Sequence, residues 1–316
     1  MVIGSEVTPV DLPRSQTGST PQHLLTTLLA DYWFGRTELL PSPALVRLVG
    51  EFGVTEAGGR TALSRLTRRG LLRAEKKGRN TYYSLTAEAA GALRSGAERV
   101  MSFGLGEQPW DGCWTLAAFS LPEQQRDVRH AVRVRLKWLG FASLYDGLWI
   151  SPRADPAEVG AALTELGVAT ATVLRARDPL PGQSHPPLGA WDLDELRVRY
   201  TEFITAHESL LTTVRRGDLG PAKALVARTE LVDGFRAFPG LDPDLPAELL
   251  PPDWPRDRAR ALVAEIYDAL GPLAEIRVRQ IVGEFDPALA DGVHHLTADE
   301  VVAGATPRQS HGARLD

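Results

Sequence analysis

The chain has 316 residues, of which 43% are hydrophobic and 24% are charged, and its formal net charge is −5. This composition is that of an ordinary soluble protein and excludes a non-specific nucleic-acid coat, because such proteins are basic throughout. Cys113 is the only cysteine, which excludes a disulfide framework and a cysteine-based zinc site. No stretch reaches the ~18 uninterrupted apolar residues of a membrane span, so we expect a cytoplasmic protein with no membrane partner.

The first hundred residues predict a tail and then a helix-rich unit. Residues 1–20 lack the basic and apolar regions of a signal peptide and are predicted to be a disordered tail. The elements that follow are a helix from Pro21, helices at Pro43–Phe52 and Thr55–Arg69, strands at Leu71–Glu75 and Thr81–Leu85, and a helix at Thr86–Phe103. This order is typical of a winged helix-turn-helix.

The third helix and the hairpin after it carry the clearest functional signal. At 3.6 residues per turn, the outward helix face is small, hydroxylic and cationic, a type of surface that can approach a phosphate-lined groove and reach base edges. Between Thr55 and Asn80, eight Lys or Arg residues stand against two acids, a net charge of +6. We therefore predict binding to double-stranded DNA. The predicted contacts are Arg60, Thr61, Ser64, Arg65, Arg68, Lys76, Lys77, Arg79 and Asn80. The alternative is a solvated charged helix followed by an ordinary hairpin.

A second unit begins near Trp110 and predicts a β-α-β-β-α-β order. Its elements are a strand at 113–121, a helix at Pro122–Gly140, two strands within 141–151 that Asp146-Gly147 separates, a helix at Asp155–Leu166 and a strand at Ala169–Arg175. This order is that of a ferredoxin-like sandwich. After a linker rich in proline and glycine, helices are predicted at Asp192–Val214, Leu219–Phe238 and Arg256–Phe285.

The sequence thus predicts an α+β multidomain protein. Its predicted parts are a disordered tail (1–20), a winged-helix DNA-binding domain (21–104), a ferredoxin-like middle domain (105–178), a linker (179–190), a helical C-terminal domain (191–285) and a mostly flexible tail (286–316). Charge is divided unevenly, since residues 21–104 carry a net +5 and residues 105–316 a net −9. That division suits a protein that binds DNA through one surface.

Four segments together resemble the phenylacetic-acid-degradation repressor (PaaX) family. They are GRTALSRLTRRGLL, GRNTYYSLT, DGCWTLAAFSLPEQQRDVRHAVRVRLKWLGFASLYDGLWISP and FPGLDPDLPAELLPPDWP. The resemblance runs from about residue 22 to residue 285 and implies all three predicted domains. It also implies a homodimeric bacterial transcriptional repressor of a catabolic operon for an aromatic acid, released by an aryl-acyl-CoA such as phenylacetyl-CoA. The recognition-helix pattern of the family falls on Arg60, Thr61, Ser64, Arg65 and Leu66.

Gly58 and Gly59 stand just ahead of that pattern, where helix-forming residues are expected. Each glycine lowers helix stability by about 0.5–1 kcal/mol relative to alanine. We therefore expect a loose first turn in the third helix.

The effector site has candidates but no motif. An acyl-CoA needs cations for its phosphates and an apolar slot for its acyl group. The candidates are Trp191, Tyr200, Arg228, Phe235, Arg236 and Trp254, with Arg175 or Arg177 as further phosphate partners. For each aromatic residue, the alternative is an ordinary place in the core.

No catalytic constellation, metal site or cofactor motif is predicted, so we expect a protein that is not an enzyme. The first strand of the middle domain ends at Phe119-Ser120-Leu121, without the carboxylate found there in related CRISPR-associated nuclease subunits. His294 and His295, with acids nearby, favour a solvated tail over a metal site. The alternative function is an acyl-CoA-handling enzyme or a nuclease whose winged helix makes protein contacts.

Overall fold

The computed structural model describes residues 20–34, 36, 38–106, 109–177 and 186–304. These residues form two compact units, each assembled from separate parts of the chain. The first unit contains the residues up to Phe103, then Phe203–Ala237 and the residues from Arg258 on, while the second contains Gly104–Glu202 and Phe238–Asp257. Both helices and antiparallel strands are present, so the α+β class is confirmed.

The first unit begins with four helices and a small sheet. These elements are α1 (Pro21–Tyr32), β1 (Leu40–Pro41), α2 (Ser42–Gly50), α3 (Glu56–Arg68), β2 (Leu72–Lys77), β3 (Asn80–Leu85) and α4 (Ala87–Ser102). The sheet has the order β1-β3-β2 and is antiparallel throughout. The two-residue strand β1 was not predicted, because its pairing to β3 comes from contacts that local sequence does not encode.

Strands β2 and β3 extend further toward the hairpin tip than the sequence predicts. The predicted turn covers five residues, Lys76–Asn80, whereas in the structure Lys77 pairs with Asn80 and only Gly78 and Arg79 lie between the strands. Gly78 has a φ of 62°, which glycine adopts without the steric penalty of a side chain. The hairpin therefore holds its cations on a regular two-stranded ladder.

In the second unit, a four-stranded antiparallel sheet has the order β5-β6-β4-β7. Its elements are β4 (Cys113–Ser120), α5 (Arg126–Trp138), β5 (Ala142–Tyr145), β6 (Leu148–Ser151), α6 (Pro156–Glu165), β7 (Thr170–Arg177) and a 3₁₀ turn at Pro187–Ala190. Its core joins residues of α5 and α6, such as Val132, Leu136 and Val159, to Ala117 and Trp149 on the sheet. Strand β7 is at one end of the sheet order, and nearly all of its residues are exposed.

The C-terminal part of the chain is helical, and its α-helices range from 4 to 28 residues in length. They are α7 (Leu193–Arg216), α8 (Pro221–Phe235), α9 (Phe238–Leu241), a 3₁₀ turn at Ala247–Leu249, α10 (Arg256–Gly283), α11 (Pro287–Ala290) and α12 (Ala298–Val302). Leu225 of α8 and Ala274, Val278 and Ile281 of α10 share one core with α1, α2 and α3. The elements that carry the predicted DNA-binding face therefore pack on helices nearly two hundred residues later in the chain.

The segment after Asp286 differs from the predicted flexible tail over residues 286–304. Val293 and Leu296 are buried, and α12 begins with a capping box in which Thr297 and Glu300 exchange hydrogen bonds. The apolar residues of this short segment do not recur at helical spacing, so their burial depends on a surface that other helices provide. The remainder of the predicted tail, and most of the predicted N-terminal tail and linker, lie outside the described residues. Within the described ranges, no helix is long and apolar enough to cross a membrane.

Candidate nucleic-acid interface

Helix α3 starts and ends where its local sequence dictates. The side chain of Thr55 accepts a hydrogen bond from the Gly58 amide at 3.2 Å, and Glu56 lies in the first turn, where the helix dipole favours a carboxylate. The helix ends at Arg68, and Gly70 follows with a φ of 72°, a conformation that ends many helices. Both boundaries therefore have a local chemical cause.

Gly59 has a packing role that the sequence does not reveal. A Cβ atom at this position would lie 3.2 Å from Cγ2 of Val49 and 3.4 Å from both γ-carbons of Val46. The missing side chain thus allows α3 to lie close against α2. The glycine that was expected only to weaken the helix is also the residue that lets the two helices pack.

All nine residues predicted to contact DNA are exposed. Arg60, Thr61, Ser64, Arg65 and Arg68 lie on α3, opposite its buried Ala62, Leu63 and Leu66. Lys76, Lys77, Arg79 and Asn80 lie at the hairpin tip. The structure therefore leaves both sets of side chains open to a ligand.

The cations on this surface differ in whether a carboxylate lies close enough to pair with them. Arg60 donates to Glu56 at 2.9 Å, and Lys77 lies 3.6 Å from Glu75 and 5.5 Å from the centre of the Tyr82 ring. Arg65, Arg68 and Arg79 have no carboxylate within ion-pair distance among the described residues. These last three are therefore the cations best placed to receive phosphate or base-edge acceptors.

Comparison with known proteins places the chain in a family. The family model described as "PaaX-like protein" matches residues 20–89, "PaaX protein central Cas2-like domain" matches 107–187, and "PaaX-like protein C-terminal domain" matches 191–280. The chain is also 31% identical over 261 residues to the protein named transcriptional repressor PaaX of Escherichia coli (strain K12), covering 79% of this chain and 80% of that protein. The chain belongs to the PaaX family. Its predicted membership is thereby confirmed.

A solved structure shares the fold of this PaaX-family chain. It is described as uncharacterized protein Rv0674 from Mycobacterium tuberculosis, is 23% identical, and superposes with a TM-score of 0.55. The match covers 81% of this chain and 97% of that one. At this identity the likeness concerns the fold alone.

Three of the predicted effector residues lie in the first unit, and two of them are buried. Arg228 is 0% exposed, and its guanidinium donates to the carbonyls of Tyr267 and Leu296, at 3.1 and 2.8 Å. Phe235 is 1% exposed, and Arg236 is half-buried with one nitrogen 3.9 Å from Asp233. These hydrogen bonds hold the guanidinium of Arg228 inside the core, so it is not accessible to a phosphate of the ligand.

The other three predicted effector residues lie in the second unit. Tyr200 is buried, donates a hydrogen bond to Asp242 at 2.7 Å, and has its ring centre 6.3 Å from that of Trp254. Burial and the adjacent Asp242 carboxylate raise the pKa of the Tyr200 hydroxyl. Trp191 instead stacks on Trp114, with ring centres 6.1 Å apart. The structure brings Tyr200 and Trp254 together, while Trp191 belongs to a different aromatic cluster.

The histidine pair is not in a solvated tail. His295 lies with Nδ1 2.5 Å from a carboxylate oxygen of Glu275, and burial lowers the pKa of His294. Burial raises the pKa of the Glu275 carboxyl, but hydrogen bonds from the side chain and amide of His295, together with the charge of Arg279, lower it by more. No group of three potential metal-binding side chains occurs in the part of the chain that the structure describes. His295 therefore attaches this segment to α10, and the amide of His294 donates to the carbonyl of Tyr32 in α1.

The sequence analysis missed one group of charged residues. Arg126, Arg129, His130 and Arg133 lie on one face of α5 and line a surface depression together. The prediction of that helix used only its apolar positions. The spacing of the four cations at i, i+3, i+4 and i+7 is visible in the sequence and would have identified this surface.

Proposed function

We propose that the chain is a transcriptional repressor that binds double-stranded operator DNA. In this proposal α1 to α4 with the β2–β3 hairpin form a winged helix-turn-helix, and α3 is the recognition helix. The observation that carries it is that Arg65 and Arg68 on α3 and Arg79 at the hairpin tip are all exposed and form no ion pair with any described residue. The name of the E. coli relative supports the same function.

The exposed face of α3 has the chemistry that major-groove recognition needs. Ala57, Thr61 and Ser64 are small, so a helix carrying them can approach the base edges closely. Arg65 lies beside them and can donate two parallel hydrogen bonds to a guanine, a pairing worth about 1–3 kcal/mol of discrimination. Arg79 at the wing tip suits a phosphate contact, which contributes affinity without sequence information.

The test compares three alanine variants by gel-shift titration on a labelled operator and on unrelated DNA. Arg65→Ala should weaken operator binding by about 1–3 kcal/mol and leave non-specific binding nearly unchanged. Arg79→Ala should weaken both and reduce the slope of log K against log salt by about one unit. Arg216→Ala, which removes an exposed cation from the end of α7, is the control with an equal charge change. If all three variants bind like the wild type, the proposed interface is wrong.

We further propose that the repressor acts as a homodimer on a pseudo-palindromic site. A single recognition helix reads few base pairs, and two copies would place half-sites about 34–36 Å apart or at a multiple of that distance. The second unit, which we propose is a ferredoxin-like sandwich, offers a surface for this contact. Strand β7 is unpaired on its outer edge and exposes Leu174, and such edges pair readily with another strand. Light scattering that finds a monomer both free and on DNA would contradict the dimer.

The proposed signal is an aryl-acyl-CoA from aromatic-acid catabolism, with phenylacetyl-CoA as the first compound to test. Such a ligand must bind the DNA-free state more tightly, and a tenfold release from DNA requires about 1.4 kcal/mol of differential binding. Trp191, Tyr200, Arg236 and Trp254 stay candidate contacts for this ligand, as an alternative to the site on α5 proposed below, whereas the burial of Arg228 removes it from the candidates. The enzyme alternative is not favoured, because the relative is named a repressor and β4 carries no carboxylate.

A further inference from the structure

We propose that α5 and the ends of β4 and β6 form a binding site for an organic anion with several phosphates, the chemical class of an acyl-CoA. The choice of ligand rests on the proposed function, whereas the location of the site rests on the second unit alone. Two adjoining depressions carry the argument. One is lined mainly by arginines, and the other has a mixed lining in which three apolar side chains lie beside polar ones.

The cationic depression has a volume of about 320 Å³ and is lined by Arg126, Arg129, His130 and Arg133, with Glu123 as its one acid. The three arginines, at i, i+3 and i+7, lie with His130 on one helix face, where their like charges repel and destabilise the helix. An anion in the depression would remove that repulsion. A bound phosphate group would therefore stabilise this row of side chains on α5.

Only some of the hydrogen-bond donors on these side chains have partners among the described residues. Arg129 donates one hydrogen bond to the carbonyl of Leu121 at 2.9 Å, which fixes its side chain and leaves other N–H groups available. Arg133 lies 3.8 Å from Asp146, and both side chains are more than half exposed, so solvent weakens that pair. Arg126 and His130 have no carboxylate partner among the described residues. Guanidinium groups in this state can form paired hydrogen bonds to phosphate oxygens.

The second depression shares Arg129 and Arg133 with the first. Its volume is about 140 Å³, and Phe119, Leu121 and Trp149 provide an apolar part of a lining that also includes Ser120 and Asp146. The φ of Gly147 is 79°, and a Cβ there would lie 2.7 Å from the carbonyl oxygen of Phe119, so only glycine lets the β5–β6 turn lie against the end of β4. Cations beside an apolar slot are the two features that an acyl-CoA with an aromatic acyl group requires.

The experiment measures ligand binding to full-length protein by calorimetric titration. The ligands are phenylacetyl-CoA, acetyl-CoA, CoA and phenylacetate. The test variant is Arg126→Ala with Arg133→Ala, two exposed side chains whose loss leaves the core intact. The control variant is Arg216→Ala with Lys223→Ala, which removes the same charge from exposed positions on α7 and α8.

We expect the test variant to bind each CoA compound at least tenfold more weakly and the control variant to bind like the wild type. Phenylacetyl-CoA should bind more tightly than acetyl-CoA, and phenylacetate should bind weakest. Operator binding without ligand should be unchanged in both variants.

Three results would overturn the proposal. Unchanged CoA affinity in the test variant would place the ligand elsewhere. A loss of operator binding in that variant without ligand would show that α5 contacts DNA instead. If the wild type binds the operator but no CoA compound, this site is refuted while the repressor function stands.

Discussion

Replacing Arg228 by methionine should destabilise the first unit strongly. The side chain is fully buried, and three of its nitrogens donate hydrogen bonds, to the carbonyls of Tyr267 and Leu296 and, at 3.3 Å, to the hydroxyl of Tyr32. Its guanidinium also lies 3.6 Å from the centre of the Tyr267 ring and 3.5 Å from a carboxylate oxygen of Asp31. Methionine fills similar space but offers none of these donors.

The expected loss of stability follows from the charge that stays in the core after the substitution. Removing one partner of a buried ion pair typically costs about 3–5 kcal/mol, because the other charge stays buried without compensation. That is a large fraction of the roughly 5–15 kcal/mol by which proteins are stable. Here the remaining charge would be that of Asp31. Burial already raises the pKa of this carboxyl, and the positive charge of Arg228 opposes that increase.

The pH dependence of the variant's folding stability provides a second test. Without Arg228, the pKa of Asp31 in the folded state should rise further above its value in the unfolded state. The folded state then binds more protons than the unfolded state, so the variant should lose stability as pH rises from about 4 toward neutrality. The double variant Asp31→Asn with Arg228→Met should lack this dependence and recover part of the loss.

Urea unfolding of full-length protein, followed by circular dichroism at several pH values, measures both effects. A loss below about 1 kcal/mol, against the 3–5 expected for a buried pair, would refute the reasoning. So would unchanged stability with weakened acyl-CoA binding, since that result would assign Arg228 to the ligand as the sequence first predicts.

Two further predictions concern the packing of the DNA-binding elements. Arg277 donates two hydrogen bonds to Glu51, at 2.8 and 2.9 Å, and these lower the pKa of Glu51. Glu51→Gln should therefore cost about 1–3 kcal/mol at pH 7, and in urea titrations the difference should shrink as the pH falls through the lowered pKa of Glu51, where the wild-type carboxylate takes up a proton. Gly59→Val should cost about 1–3 kcal/mol through overpacking against Val49 and should weaken operator binding. Gly91→Ala, in open space on α4, should instead stabilise by about 0.5–1 kcal/mol; equal effects of the two glycine substitutions in thermal unfolding would contradict this account.

Several features follow from local sequence alone. Thr55 and Gly70 set the limits of α3, and the 3.6-residue period separates its buried leucines from its exposed cations. The order of strands and helices in the second unit is likewise readable from alternation and turn residues. Such features depend on neighbours within a few positions, so the sequence predicts them before any packing is known.

Other features depend on residues that are far apart in the sequence. Nothing local distinguishes Arg228 from an exposed helix cation, because its partners come from α1, α10 and residue 296. Gly59 and Val293 acquire their roles only from the helices beside them. The sequence by itself determined the family, the secondary-structure order and the cationic face of α3. Only the tertiary structure decided which charges are buried and which are free, because burial is set by surfaces that distant segments bring together.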